Sequence, residues 1–132
     1  MVNIVLPVFV GGALGAMLRE FTMLMVPNPV DNFPMDILVA NLVAAFLLGL
    51  VTALHRRQIV SEGAELLVGS GIAGGLSTFS SFVYGAVVLM SASTASAVVA
   101  SVYVVISLVL GYFAVTVGLK LGGQGSDRLS PM

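Results

Sequence analysis

The chain has 132 residues, of which 58% are hydrophobic and 8% charged, and its mean hydropathy is +1.11. Water-soluble domains carry charge on about a quarter of their residues, so this composition is that of an integral membrane protein. A net charge of −1 leaves no basic surface for nucleic acid, and the absence of Cys removes disulfides, thiol catalysis and cysteine metal sites.

A bilayer core is crossed by about 20 mostly apolar residues, so the length predicts a single all-α domain over 1–132 with four crossings, at about 4–26, 37–54, 64–90 and 97–119. The opening MVNIVLPVF lacks a basic n-region and a small-residue cleavage site before Arg19. It is therefore expected to be a retained first helix and not a removed leader. Gly11, Gly12, Gly15 and Ala16 give that helix a small-residue face on which another helix can approach closely. Arg19 and Glu20 lie in its last turns, where it reaches an interface or a water-filled mouth.

The stretch PNPVDNFPMD at 27–36 is a turn-rich loop holding two Asp and no basic residue. The second run, Ile37 to Leu54, is apolar except for Asn41 and Thr52 and leaves the membrane at His55-Arg56-Arg57-Gln58. An amide in a membrane helix has two readings. One is a hydrogen bond between helices; the other is a functional donor, since a neutral NH2 can bind an anion without trapping it.

The third run, Ala64 to Met90, is interrupted at 69–85 by GSGIAGGLSTFSSFVYG. Broken backbone exposed to lipid costs several kcal/mol per unsatisfied group, so this segment must face protein, water or an ion. Ser70, Ser77, Thr78, Ser80 and Ser81 cluster there, interleaved with Phe79 and Phe82, which fall at i, i+3 on one helix face. Taken singly, each hydroxyl is expected to bond back to its own helix, and the rings to pack. Together they suggest donors and positively polarised ring edges suited to a small anion.

A short connection over Ser91–Ser96 leads to the fourth run, in which Tyr103, Ser107 and Gly111 follow at i+4 steps on one stripe. The stripe fits a pore lining or a tight helix contact. Lys120 and the polar tail at 120–132 then leave the membrane. Arg56, Arg57, Lys120 and Arg128 would share one side with the termini and only Arg19 the other, which biases the termini towards the cytoplasm. No acidic pair, metal cluster or nucleophile with a base is present, which argues against an enzyme.

Four hydrophobic helices, GGALGAMLR at 11–19, Pro34 followed by Asn41, and GGLSTFSSF at 74–82 make the chain resemble the Fluc/CrcB fluoride channels over nearly its whole length. The last motif is the most specific. The resemblance implies a third helix broken in its middle and an antiparallel, dual-topology dimer in the cell membrane with two fluoride pathways. It also implies a central Na+ held by backbone carbonyls of Gly74 and Ser77. By the same carry-over Asn41, Thr78, Phe79, Ser80, Phe82, Tyr103 and Ser107 line the fluoride path, with Arg19 at an aqueous vestibule.

The implied activity is passive, fluoride-selective export that relieves fluoride toxicity. Some relatives pair two different subunits, and the charge bias is compatible with this chain being one half of such a pair. Asp36-Ile37 stands where the family commonly has Gly-Thr, and so puts a negative charge near the anion mouth. A small proton-coupled multidrug exporter is the main rival; it needs an acid deep in a helix, whereas Glu20 and Glu65 lie near helix ends. A packing or assembly subunit would explain the glycine faces but not the clustered hydroxyls and phenylalanines.

Overall fold

The structure is a computed structural model that describes residues 3–28 and 33–124. The loop residues 29–32 and the tail from 125, including Arg128, lie outside the described residues. Every element is helical: α1 (Val5–Met25), α2 (Met35–Arg56), α3 (Glu62–Glu65), a π-helical stretch (Leu66–Ala73), α4 (Gly74–Leu76), α5 (Phe79–Ala92) and α6 (Thr94–Gly123). Among the described residues α1, α2, the 62–92 segment and α6 are each long and apolar enough to cross a membrane. The chain is a multi-pass membrane protein.

Local chemistry sets the ends of these helices. Asp36 sits in the first turn of α2, where a carboxylate is favoured by the helix dipole, and its Oδ1 accepts from the Ile37 N–H at 2.9 Å. At the other end Gln58 is left-handed (φ 59°), and the Gln58 and Ile59 N–H groups bond the carbonyls of His55 and Leu54. That pair of bonds is a Schellman closure built on a residue other than Gly. Ser61 caps α3 by accepting from the Ala64 N–H.

The connection expected over Ser91–Ser96 is reduced to one residue. Ser93 is extended and its hydroxyl accepts from the Ser96 N–H, so α6 starts at Thr94. On the other side Ser91 bonds back to the Val87 carbonyl and stays helical. Helix α6 also runs past Lys120 to Gly123, where Arg57 donates to the Gly122 carbonyl at 2.8 Å. An α-helical pattern hides the π-helical stretch at 66–73, since no periodicity in Leu66–Ala73 distinguishes the two.

Two glycine seams hold the bundle. In one, a Cβ on Gly11 would collide with the Leu67 carbonyl oxygen, one on Gly15 with that of Ile72, and one on Gly75 with that of Gly12. In the other, Gly49 abuts the Val115 carbonyl and Gly118 that of Phe46, joining α2 to α6. No described glycine has positive φ, so the small side chain is what matters here. Close backbone approach of this kind replaces the hydrophobic drive that lipid cannot supply. The buried interior is accordingly small, with Ala40, Ala44, Ala73 and Leu76 in one cluster. Bulky groups such as Phe9, Leu24, Leu108 and Tyr112 point outward, where acyl chains or a partner can cover them.

Substituting Gly15→Ala should lower the apparent melting midpoint sharply, because overpacking costs about 1–3 kcal/mol or more when the obstacle is backbone. Gly12→Ala, whose added methyl meets nothing within 4 Å, should leave the midpoint unchanged or slightly higher. Thermal unfolding of both in one detergent checks the contrast.

Candidate functional site

Between α4 and α5, Ser77 (φ −71°, ψ 151°) and Thr78 (φ −146°, ψ 113°) are extended. Two residues of non-helical backbone in an apolar bundle strand several N–H and C=O groups. Asn41, on α2, meets them. Its Oδ1 accepts from the Thr78 N–H at 2.7 Å, and its Nδ2 donates to the Thr78 carbonyl at 3.3 Å. Because a backbone N–H can only donate, the short contact fixes which end of the amide is oxygen. Of the two readings that the sequence left open for Asn41, the interhelical hydrogen bond is present. One of its two amide hydrogens is used, and the second remains for the grooves that Asn41 lines.

The hydroxyl of Thr78 caps α5 by accepting from the Ser81 N–H at 3.2 Å. It also donates to Ser81 Oγ at 3.0 Å and lies 3.4 Å from Ser80 Oγ. Thr78 is 7% exposed, whereas Ser80 faces outward. The positive end of the α5 dipole therefore opens at Thr78, an electrostatic setting that favours an anion.

Two open grooves flank Asn41 and Ser77. The first, of about 280 Å³, is bounded by Asn41, Ser77, Thr78, Phe79, Phe82 and Ser107, with Leu38, Leu42, Leu108 and Gly111 as its apolar wall. The second, of about 410 Å³, contains Gly74 together with Ser70, Gly69 and Ala73. Phe79 is 80% exposed and pairs with Phe82 at 6.1 Å between ring centroids. Phe82 in turn lies 5.3 Å from Tyr103, which Phe33 meets edge-on at the same distance. The Phe33 contact was invisible in the sequence, where Phe33 is one residue in a turn-rich loop.

Tyr103 is fully buried beneath these rings and does not line the groove. Its hydroxyl and that of Ser107, one turn further on α6, are near one another, yet both are buried and neither makes a hydrogen bond of acceptable geometry. Such unpaired donors are uncommon in folded proteins. By contrast Thr22, Ser91, Ser101 and Thr116 all bond back to the carbonyl four residues earlier.

Arg19 is on the other side of the extended segment. Its guanidinium donates to the Gly75 carbonyl at 3.2 Å and lies 3.7 Å from the Glu20 carboxylate, and it does not reach the groove around Asn41. Asp36, whose Oδ1 and N–H are occupied by the Ile37 N–H and Asn28 Oδ1, is not paired with Arg19.

The carbonyls of Gly74 and Ser77 meet a simple test as cation ligands. The N–H groups that would continue the helical ladder onto them belong to Thr78 and Ser81, and those donate to Asn41 and to the Thr78 hydroxyl instead. Gly74 accepts only the Ser77 hydroxyl at 3.3 Å among the side-chain donors. Two neutral oxygens freed in this way fit a hard, singly charged cation.

A four-span, all-helical membrane protein with a polar segment clamped across two helices is the class that this geometry defines. The sequence profile of the family described as CrcB-like protein, Camphor Resistance (CrcB), matches residues 6–119. The chain belongs to that family. It is 54% identical over 128 residues to Fluoride-specific ion channel FluC 3 of Yersinia pseudotuberculosis, covering 97% of this chain and 95% of that protein. It is 55% identical over 129 residues to Fluoride-specific ion channel FluC 2 of Brucella melitensis, covering 98% of this chain but 48% of that protein. The chain thus spans about half the length of the Brucella relatives it matches. Fluoride-specific ion channel FluC of Ignicoccus hospitalis is 37% identical over 86% of this chain and 90% of its own length.

Replacing Asn41 by Leu, close in size, strands the Thr78 N–H and carbonyl together. Each buried group left unpaired costs about 1–3 kcal/mol, so Asn41→Leu should be among the most destabilising single changes in α2. Asn41→Gln should not rescue it, because one more methylene displaces the amide from both backbone atoms. Melting of the two variants beside Leu42→Ala, a nearby apolar change, checks this.

Proposed function

We propose that this protein is a fluoride-selective channel that lets fluoride leave the cytoplasm down its electrochemical gradient and so relieves fluoride toxicity. It is not an enzyme. The observation that carries the reading is the 54% identity to a protein named as a fluoride-specific ion channel along almost the full length of both chains. The site chemistry supports it. Fluoride sheds water only if other donors replace it. The donors available here are the second amide hydrogen of Asn41, the hydroxyl of Ser107 and the ring edges of Phe79 and Phe82, with the buried Tyr103 hydroxyl behind them; Thr78 would join them only by giving up its bond to Ser81 Oγ, and Ser80 only from the outer face.

The groove is open on its outer side and Phe79 stands largely exposed, so one copy supplies only one wall of a pathway. A second copy or a homologous subunit, packed antiparallel, would supply the other. In that assembly the extended residues at Ser77 and Thr78 act as the break of the third membrane helix. The Gly74 and Ser77 carbonyls would hold a sodium ion between subunits. When bound, sodium supplies a fixed positive charge that neutralises the freed carbonyl ends. Arg19 covers the adjacent Gly75 carbonyl and keeps a positive charge beside the vestibule.

The unequal basic residues fit a second reading, a fixed orientation with cytoplasmic termini and a different subunit as the partner, in which case efflux would need that subunit. The proton-coupled exporter would need an acid deep in a helix, whereas the described acids Glu20, Asp36, Glu62 and Glu65 lie at or near helix ends.

Fluoride efflux from proteoliposomes holding this chain alone, with valinomycin as the potassium shunt and a fluoride electrode as readout, tests the function. Fluoride loss without chloride loss is the expected result, and absence of fluoride loss even with a partner subunit present would sink it. Exchanging sodium for N-methylglucamine should lower the melting midpoint of the purified dimer. Indifference to the cation would remove the sodium from the proposal while leaving the channel standing.

A further inference from the structure

A buried hydroxyl normally turns until it finds a partner, and the Tyr103 hydroxyl has not. The cause lies in what surrounds its ring, no part of which is exposed. Phe82 of α5 meets it at a 40° tilt and Phe33 meets it edge-on at 85°, both at 5.3 Å between centroids, with Leu38 and Ala86 in the same cluster. A ring packed on several sides in this way keeps one orientation. Its hydroxyl cannot swing away from Ser107 in search of another acceptor.

Phe33 belongs to a connection, yet its ring is firmly mounted. Pro34 follows it, buried, with a backbone angle fixed by the pyrrolidine ring. The Phe33 carbonyl accepts from the Met35 N–H at 2.8 Å, and the Pro34 carbonyl accepts from the Leu38 N–H at 3.1 Å, so both residues are tied into the start of α2. On its other side Pro34 lies against α5, where a Cβ on Gly85 would come within 3.0 Å of the proline Cγ. The same α2 carries Leu38 and Asn41 to the groove. Phe33 is therefore fixed relative to the groove although it does not line it.

We infer that Phe33 is a positioning residue for the fluoride path: it clamps the Tyr103 ring and thereby keeps that hydroxyl unpaired beside Ser107. The inference rests on the channel reading above. Ser107 lines the groove and Tyr103 stands behind it. When Ser107 turns its hydrogen towards an anion, its oxygen is left as an acceptor, and the Tyr103 O–H is the donor near it. Hydrogen bonds in such a chain polarise one another, so the inner donor strengthens the outer one. Leu at position 33 would fill much of the space of the ring but leave Tyr103 free to tilt and bond elsewhere.

The chain has three Tyr and no Trp, so its tyrosine rings give few and assignable NMR signals. In full-length protein with 13C-labelled tyrosine, the clamped Tyr103 ring should flip slowly and show separate signals for its two Cε atoms. Tyr84 and Tyr112, 72% and 68% exposed, should show one averaged signal each. In Phe33→Leu the Tyr103 pair should merge. Fluoride efflux is measured in the assembly that conducts, this chain alone or with its partner subunit. It should fall roughly tenfold in Phe33→Leu, the size of one lost hydrogen bond. It should stay at the wild-type rate in Phe33→Tyr and in Phe9→Leu, whose ring faces outward. Melting of each variant identifies any that fails to fold, and the wild-type ring signals need no variant. One averaged Tyr103 signal in the wild type would overturn the clamp. Efflux that is present but indifferent to Phe33→Leu sinks this inference alone, whereas no efflux from any assembly sinks the channel reading and this inference with it.

Discussion

The structure depends on one amide. Where the backbone leaves the helix at Ser77 and Thr78, its stranded N–H and carbonyl need partners that lipid cannot provide. Asn41 provides both, from a different helix, through 2.7 and 3.3 Å bonds. An amide suits this position because it is a neutral donor and acceptor on one short side chain. Asp would set a carboxylate against the Thr78 carbonyl, and Ser would be too short to span both atoms. The clamp lets the backbone stay extended, which in turn diverts the ladder donors from Gly74 and Ser77 and lets α5 begin afresh with Thr78 as its cap.

An amide reaches across two helices only if they lie close together, and here the glycine seams set the spacing. Gly11, Gly15 and Gly75 bring α1 onto the segment before Ser77, so that Arg19, one turn beyond Gly15, can cover the Gly75 carbonyl. Gly49 and Gly118 bring α6 against α2, which places Ser107 and Gly111 beside Asn41 in one groove. The seams do not touch the groove themselves. Their effect on it is indirect, through the rigid helices they position.

Patterns that rest on composition or on local chemistry were legible in the sequence. Long apolar runs marked the four membrane-crossing segments, and the extended Ser77 and Thr78 fall within the Gly-Gly-Leu-Ser-Thr run. Asn41, Thr78, Phe79, Phe82 and Ser107 lie around one groove, a grouping that spacing cannot give, since it needs three helices in register. Features set by tertiary contact stayed hidden. Phe33 covers Tyr103 from a loop. Ser91 and Ser93 look alike in sequence, yet one bonds back to its helix and the other caps the next, so the expected six-residue connection collapsed to one. Arg19 carried a charge that the sequence could place at a helix end, but its carbonyl partner 56 residues away could not be read there.

The hydroxyls of Tyr103 and Ser107 remain the part of the structure that stability alone does not explain. Both are buried and lie near one another without a hydrogen bond of acceptable geometry, in a helix where Ser101 and Thr116 satisfy themselves by bonding back. A packing role would be served as well by Phe at 103 and Ala at 107, with no unpaired group. Donors held unsatisfied beside a groove behave differently when an anion enters: the cost is already present in the empty state, so the bonds formed to the anion add to its binding without breaking others. Under the proposed function, where fluoride's hydration must be matched donor by donor, that arrangement would be more effective than a pocket of already bonded hydroxyls.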